Sequence, residues 1–583
     1  MFVPGLLSLL TFFGAANAEC FEPSPAFPTP KWHKHSGPWI PNGVFLGLEK
    51  AIWKIARTFP AETSFSIEIT TGNETLWSKH HTAQESDVER PGVSRVDSNS
   101  QYRLASITKV FTTLGLLYQH EAGNVSLDDS VDNYISELAS PSSGLIPWKD
   151  ITLRMLASQL SGIPRDFAIG SALDIIEDPT KIGLPQPPPD FPLPCPGLKN
   201  NGTCTRTDLL KALTHQAPVF APNQKSTYSN DAFEILGLVL ENVTRLSYSE
   251  YIQQAILEPL NMTMSSFEKP SDEHAVLPKG KNAWDWEEGV QRPTGGLFST
   301  TADMSKFLRF ILGNFNSIAT GVNWLLPVSW GTGVTNFYGM PWEISRSDDI
   351  LEHVRRPVTF VTKSGGLPGY YSRIILLPEY NLGFTFLLGS NVDVLEKLIE
   401  PTLTTLVRAA EAAVWTHINE DYTGRFVATH ASLNSTLSIT STLSKGLMIS
   451  NFISNGSDML RTVIPRYLYP GVGRNGIDWH AQLIPTLLYK NETTKQGEIW
   501  RILIVKDRPD EPTRPKMFED WCVTDVDFMS YAGKPINEVV FWHEARNIEL
   551  PAFDGVFEPM HERRESDAGS PWFVGQVWQR IIG

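Results

Sequence analysis

The sequence predicts an α/β chain of the α+β kind: an antiparallel sheet flanked by helices, followed by a small C-terminal antiparallel β domain. Three observations carry this. Residues 64–83, SFSIEITTGNETLWSKHHTA, alternate apolar and polar side chains about Thr71-Gly72-Asn73, the pattern of a hairpin. From 113 to about 310 helical periods dominate, as in NDAFEILGLVLENVT and YSEYIQQAILEPL. Strand patterns then return in PVTFVTKSGG and YYSRIILLPEYNLGFTFLLGS, where two apolar runs flank Pro378-Glu379-Tyr380-Asn381, a second hairpin.

Strand, helices, late strands and a closing helical pattern over 392–417, with Pro401 inside it, place early and late strands in one sheet. From about 420 the character changes to short alternating runs, YTGRFVA, STLSITSTLSKGLMISNFIS and WRILIVK. The domains expected are 19–419 and 420–583, behind a leader at 1–18. The stretch LPQPPPDFPLPCPGLKNNGTC (184–204) is too rich in proline for helix or sheet and reads as an inserted loop.

The leader, MFVPGLLSLLTFFGAANA, is apolar and ends in Ala16-Asn17-Ala18, the form of a cleaved secretory signal, although its first residues carry no Lys or Arg. It is too short for a membrane anchor, and no later run is apolar enough to span a bilayer. The chain is expected to be secreted. N-x-S/T sequons at Asn73, Asn124, Asn201, Asn242, Asn261, Asn434, Asn455 and Asn491 fit that route and are candidate glycosylation sites. The 4 cysteines fit it too. Cys195 and Cys204 bracket a Pro/Gly/Asn turn and form the natural local disulfide, while the pairing of Cys20 and Cys522 stays open. A net charge of −15 argues against nucleic acid or an anionic membrane as partner.

The chemistry sits in RLASITKVFTTLGLLYQHEAG (103–123). Leu104, Val110, Phe111, Leu114, Leu116 and Leu117 wrap one face of a helix. Ser106 and Lys109, three apart, share a stripe at its start, with Cβ atoms roughly 5–6 Å apart. A lysine is badly placed there for stability, because the helix dipole favours anions at the N-terminus. The same placement disfavours its charged form and suits it to accept a proton. Two further stretches follow in order: Tyr228-Ser229-Asn230 ahead of an apolar helix, and Lys363-Ser364-Gly365-Gly366 at the end of an extended run. Each is weak alone, but S-x-x-K, Y-x-N and K-S-G in that order and context are specific.

On these motifs the chain resembles the serine β-lactamases and penicillin-binding proteins, closest to the class C β-lactamase-like esterases and hydrolases. ITLRMLASQLSGIPRD, EPLNMTMSSF, PTGGLFSTTADMSKFLRF and FYGMPWEI are similar to stretches of that branch. The likeness covers about residues 40–417, and the tail is similar in style to a lipocalin-like domain. Gln159-Leu160-Ser161-Gly162 stands where the family often has His-Thr-Ser-Gly, and Pro222-Asn223 where it often has Pro-Gly. The resemblance implies a β-lactamase/transpeptidase-like fold and an acyl-enzyme on Ser106. It implies Lys109 as base, with Lys363 as the second cation that lowers its pKa. Tyr228 would relay the proton, and Asn230 would bond Lys109 or the substrate. Lys363 would lie on an edge strand, and the Ser106 and Gly366 amides would form an oxyanion hole. Ser364, Gly365 and Gly366 would let substrate approach the strand.

The expected activity is hydrolysis of a small-molecule or peptide acyl substrate: an ester, an amide or a β-lactam-like carbonyl. An acyltransferase of small-molecule biosynthesis using the same site, and a binding protein that keeps the fold, are the alternatives. No cofactor or metal is expected. His80-His81 and His353 lack the spacing of a zinc site, and neither a G-x-S-x-G elbow nor a phosphate-binding glycine pattern occurs.

Overall fold

A computed structural model describes residues 27–30, 32, 42–140, 144–167, 178–186, 203–351, 356–430, 434–443, 445–464, 479–506 and 530–560. The leader, Cys20, Cys195, Asn201, Cys522, His353 and most of the proline-rich stretch lie outside them. By its contacts the chain divides into two units. One comprises Trp32–Ser347 and Val358–Leu406; the other comprises Met1–Lys31, Asp348–Pro357 and Val407–Gly583. The division falls inside a single helix, Leu395–Asp421.

The first unit is built on an antiparallel sheet of 8 strands. In chain order these are β1 (Ser64–Thr70), β2 (Thr75–His81), β3 (Ser329–Trp330), β4 (Asn336–Tyr338), β5 (Glu343–Ser347), β6 (Val358–Leu367), β7 (Tyr370–Leu377) and β8 (Leu382–Gly389). Across the sheet they run β2-β1-β8-β7-β6-β5-β4-β3, so early and late strands do share one sheet. Both expected hairpins form, β1–β2 about Gly72 and β7–β8 about Asn381, whose φ is +53°. The two turns are joined: the Gly72 amide donates to Asn381 Oδ1 at 2.9 Å.

The helices of this unit include α1 (Asn42–Ala56), α2 (Thr108–Glu121), α3 (Asp231–Thr244) and α4 (Thr301–Asn314). Helix α4 lies on β8 so closely that a Cβ at Gly383 would meet Leu308 Cβ at 3.1 Å. Every residue of β1 and β8 is buried, as strands covered on both faces require.

The one-sided burial expected of α2 does not hold. Thr108 through Leu117 are all buried, polar residues included. The threonines make this possible by bonding locally and across the core. Thr112 Oγ1 donates to Pro293 O at 2.7 Å and pairs with Tyr248 OH at 2.8 Å, and Thr113 Oγ1 donates to Lys109 O. Phe111 stacks on Phe307 of α4 at a centroid distance of 4.0 Å. Helix α2 is therefore the central helix of the unit, and whatever begins it is held rigidly.

The second unit contains β9 (Gly424–Ala428), β10 (Thr436–Thr442), β11 (Gly446–Ser454), β12 (Trp479–Asn491), β13 (Gln496–Lys506), β14 (Glu538–Trp542), β15 (Asn547–Leu550) and β16 (Gly555–Pro559). They pair antiparallel in the order β10-β9-β16-β15-β14-β13-β12-β11, and β10 pairs with β11 as well. The sheet thereby closes on itself, which removes its edges. Tyr422 packs against Trp500, Phe541 and His543, and its hydroxyl is held by Glu498 at 3.1 Å.

Candidate active site

Ser106 stands in a 3-10 turn, Ala105–Ile107, that runs directly into α2. Ala105 has φ +51°, a left-handed conformation that costs a non-glycine residue energy and marks a turn held by its surroundings. Lys109 follows in the first turn of α2, fully buried. Its Nζ lies 3.1 Å from Ser106 Oγ and donates to Thr294 O at 3.0 Å. The Tyr228 hydroxyl donates to the same Ser106 Oγ at 2.9 Å. The Tyr228 ring lies beside both lysines: Lys109 Nζ is 5.1 Å and Lys363 Nζ 5.3 Å from its centroid.

Tyr228 is held by a loop from the SGIPRD region. Ser229 N donates to Gln159 Oε1 at 2.7 Å, Ser229 Oγ to Pro164 O at 2.5 Å, and Asn230 N to Arg165 O at 2.7 Å. Gln159 is one of the positions where the chain departs from the family pattern, and here its side chain fixes the tyrosine loop. The Arg165 guanidinium covers the outer face of the Tyr228 ring at 4.8 Å.

Lys363, Ser364, Gly365 and Gly366 lie on β6. Lys363 was expected on an edge strand, but β6 is interior, between β7 and β5. The ladder with β5 nevertheless stops at Glu343 opposite Thr362, so the K-S-G-G stretch continues past the end of its neighbour. Gly365 is pressed against the nucleophile turn, where a Cβ would fall 3.1 Å from Ser106 N.

The second correction concerns the bond to Lys109 expected as one alternative for Asn230. Its side chain reaches neither Lys109 nor the start of α3: Nδ2 donates to Asp166 Oδ1 at 2.6 Å, and no capping bond is made. A closer carboxylate wins the amide, because bonds to a charged acceptor are the stronger ones.

Electrostatics separate the two lysines. Burial pushes the Lys109 ammonium down, and the Lys363 cation adds to the effect against the opposing pull of Tyr228. Burial would do the same to Lys363, but the Glu343 carboxylate, 2.5 Å from its Nζ, reverses the shift and raises it. Burial alone would raise Tyr228, yet the Lys109 and Lys363 charges outweigh it and hold the phenol down at about 8. Burial also raises Asp166, against the opposing pull of Asn230 and Arg165.

Glu343, Asp166 and Arg165 are site residues that motif reading missed. They lie inside FYGMPWEI and SGIPRD, but nothing local marks a carboxylate there as part of a site. His80 belongs elsewhere, bonded to Ser66 Oγ and Ser98 Oγ at 3.0 and 3.1 Å in the wall of the sheet. Among the described residues no cysteine is free; Cys204 is buried, and the partner expected for it lies outside them. No helix of the described residues is long and apolar enough to cross a membrane.

Comparison with known proteins adds three findings. Residues 54–405 match the family model described as beta-lactamase, and 415–559 match one described as Beta-lactamase-like-like, C-terminal domain. Among curated proteins, the chain is similar to the probable hydrolase clz13 of Cochliobolus lunatus, 30% identical over 576 residues that cover 93% of this chain and 91% of that protein. It is 28% identical over 527 residues to a beta-lactamase-like protein of Arthroderma benhamiae, covering 85% of this chain and 86% of that one. Among solved structures, a class C beta-lactamase aligns with a TM-score of 0.48 and 17% identity, over 64% of this chain and 98% of that one.

Proposed function

The chain belongs to the beta-lactamase family of serine hydrolases, and on that premise we propose that it cleaves esters or amides through an acyl-enzyme on Ser106. One observation carries the reading: the Lys109 amine and the Tyr228 hydroxyl converge on Ser106 Oγ at 3.1 and 2.9 Å. A serine hydroxyl is a weak nucleophile until a neighbouring base takes its proton. Lys109 is the only amine in contact with that hydroxyl among the described residues, and its burial favours the neutral form that a base needs.

In the acylation step the Ser106 proton passes to the Lys109 amine as Oγ bonds to the substrate carbonyl carbon. Negative charge gathers on the carbonyl oxygen, which the amides of Ser106 and Gly366 are proposed to receive. Tyr228 hands a proton to the leaving oxygen or nitrogen and takes one back from the Lys109 ammonium, that bond breaks, and Ser106 carries the acyl group beside a neutral Lys109. Water then gives a proton to the neutral Lys109 amine and attacks the acyl carbon; the bond from that carbon to Ser106 Oγ breaks, Lys109 returns the proton to Oγ, and the acid leaves. With the export expected from residues 1–18, the substrate is an extracellular one.

Incubation with a fluorophosphonate is expected to add mass at Ser106 and to leave Ser106→Ala unmodified. Full hydrolysis by Lys109→Ala would remove the lysine from the base role. Acyl transfer to an added alcohol in excess of hydrolysis would identify a transferase instead.

A further inference from the structure

Next to the nucleophile the chain has built a cradle for an anion and filled it with its own side chain. Beyond Thr362 the β5 ladder ends, and Glu343, the first residue of β5, turns its carboxylate onto the free side of β6. Three donors meet it. Lys363 Nζ reaches Oε1 at 2.5 Å, and Ser364 donates to Oε2 through its amide at 3.0 Å and its hydroxyl at 2.6 Å. An ammonium, a backbone N–H and a hydroxyl aimed at one carboxylate make a charge-assisted anion site. Its Lys363 side is 1% exposed, while the Glu343 side chain is 28% exposed.

The cradle is beside the reacting centre. Ser364 precedes Gly365, the residue pressed against Ser106 N, and one residue of strand advances about 3.3 Å. A substrate group a few bonds from the scissile carbonyl therefore reaches it. The other cations here are matched as well. Arg165 Nε lies 3.3 Å from Asp166 Oδ2, and Lys109 is the amine whose burial disfavours its charge. Lys363, the cation on the strand beside Ser106, is the one already matched by a carboxylate of the chain.

We infer that Glu343 is a specificity-determining residue: by occupying the Lys363–Ser364 cradle it commits the site to acyl substrates uncharged beside the scissile carbonyl and turns away those carrying a carboxylate there. This rests on the acyl-enzyme reading above and names its substrate class. A second carboxylate brought into the cradle would face Glu343 across donors it already holds, and juxtaposed like charges are strongly unfavourable.

The test uses the full chain and two aryl phosphonate esters of equal size, one neutral and one bearing a carboxylate on the aryl group. The rate of mass addition at Ser106 is followed for each. The neutral reagent is expected to react faster by about tenfold or more, the scale that like-charge juxtaposition sets. In Glu343→Gln that preference is expected to collapse by a similar factor, with the carboxylate reagent gaining. Equal rates in the wild-type chain would overturn the specificity while leaving Ser106 as nucleophile. An unchanged preference in a folded Glu343→Gln would take the role from Glu343. Where that variant fails to fold, the wild-type preference decides alone. No labelling of Ser106 by either reagent would sink the acyl-enzyme reading, and this inference with it.

Discussion

Gly365 lies directly against Ser106. A Cβ on Gly365 would fall 3.1 Å from Ser106 N, 2.2 Å from Leu104 O and 2.4 Å from Ser372 Oγ. Ser372 Oγ is itself anchored on Leu104 O at 2.7 Å. The nucleophile turn thus rests on β6 and β7 through backbone that has nowhere to retreat. Gly365→Ala is expected to lower stability by about 1–3 kcal/mol, the usual cost of overpacking, and to suppress Ser106 labelling. Gly366→Ala, whose new Cβ meets nothing nearer than Tyr371 Cδ1 at 3.9 Å, is expected to keep its stability. Thermal melts of the two variants and the labelling rate of Gly365→Ala decide, and equal melting would contradict the close seat of Gly365.

Lys109→Met retains a long buried side chain but no base. Its kcat is expected to fall by about 10²–10⁴, the range of general acid–base catalysis, with little change in melting temperature. A fall in stability matching the fall in rate would point to packing rather than proton transfer.

The Lys363 charge holds down the proton affinity of both Lys109 and Tyr228. The proposed base must be neutral to act, so kcat/KM is expected to rise as pH passes through the deprotonation of Lys109. Removing the Lys363 cation lets both groups hold their protons to higher pH. In Lys363→Met the rising limb is therefore expected to move to higher pH, whatever the loss of absolute rate. A limb that stays put or moves to lower pH would show that this charge is not felt at the base.

The sequons are not equivalent once folded. Asn73, Asn261, Asn434, Asn455 and Asn491 are exposed, as is Asn124, whose amide bonds Gln119 Oε1. Asn242 lies within α3, half-buried, with Nδ2 donating to Tyr134 O at 2.8 Å. After secretory expression, glycopeptide mass spectrometry is expected to find glycans at exposed sites and none at Asn242. Occupancy at Asn242 would require that turn of helix to open.

What could be read in advance follows from the range of each interaction. The hairpins about Gly72 and Asn381 announce themselves through alternation and turn residues a few positions apart. Ser106 and Lys109 announce themselves because helical spacing alone puts two side chains on one stripe. The burial of α2 on all sides was not legible in the same way. A threonine reads as polar until its hydroxyl meets Pro293 O or Tyr248 OH, and those partners are remote in the chain. Asn230 shows the same limit: its amide had several plausible partners, and Asp166 is the one the folded loop brings near.

Taken alone, the amino-acid order determined the layered α+β class, the all-β character of the tail, and the three motifs with the residue types that acyl transfer needs. The tertiary structure alone decided that β5 ends opposite Thr362, that Glu343 there answers Lys363 and Ser364, and that Lys109 and Lys363 are driven toward opposite charge states. The reason is physical. Helical and strand periods are set by neighbours along the backbone, whereas the charge a buried amine carries depends on desolvation and on carboxylates delivered by distant segments, which no local pattern encodes.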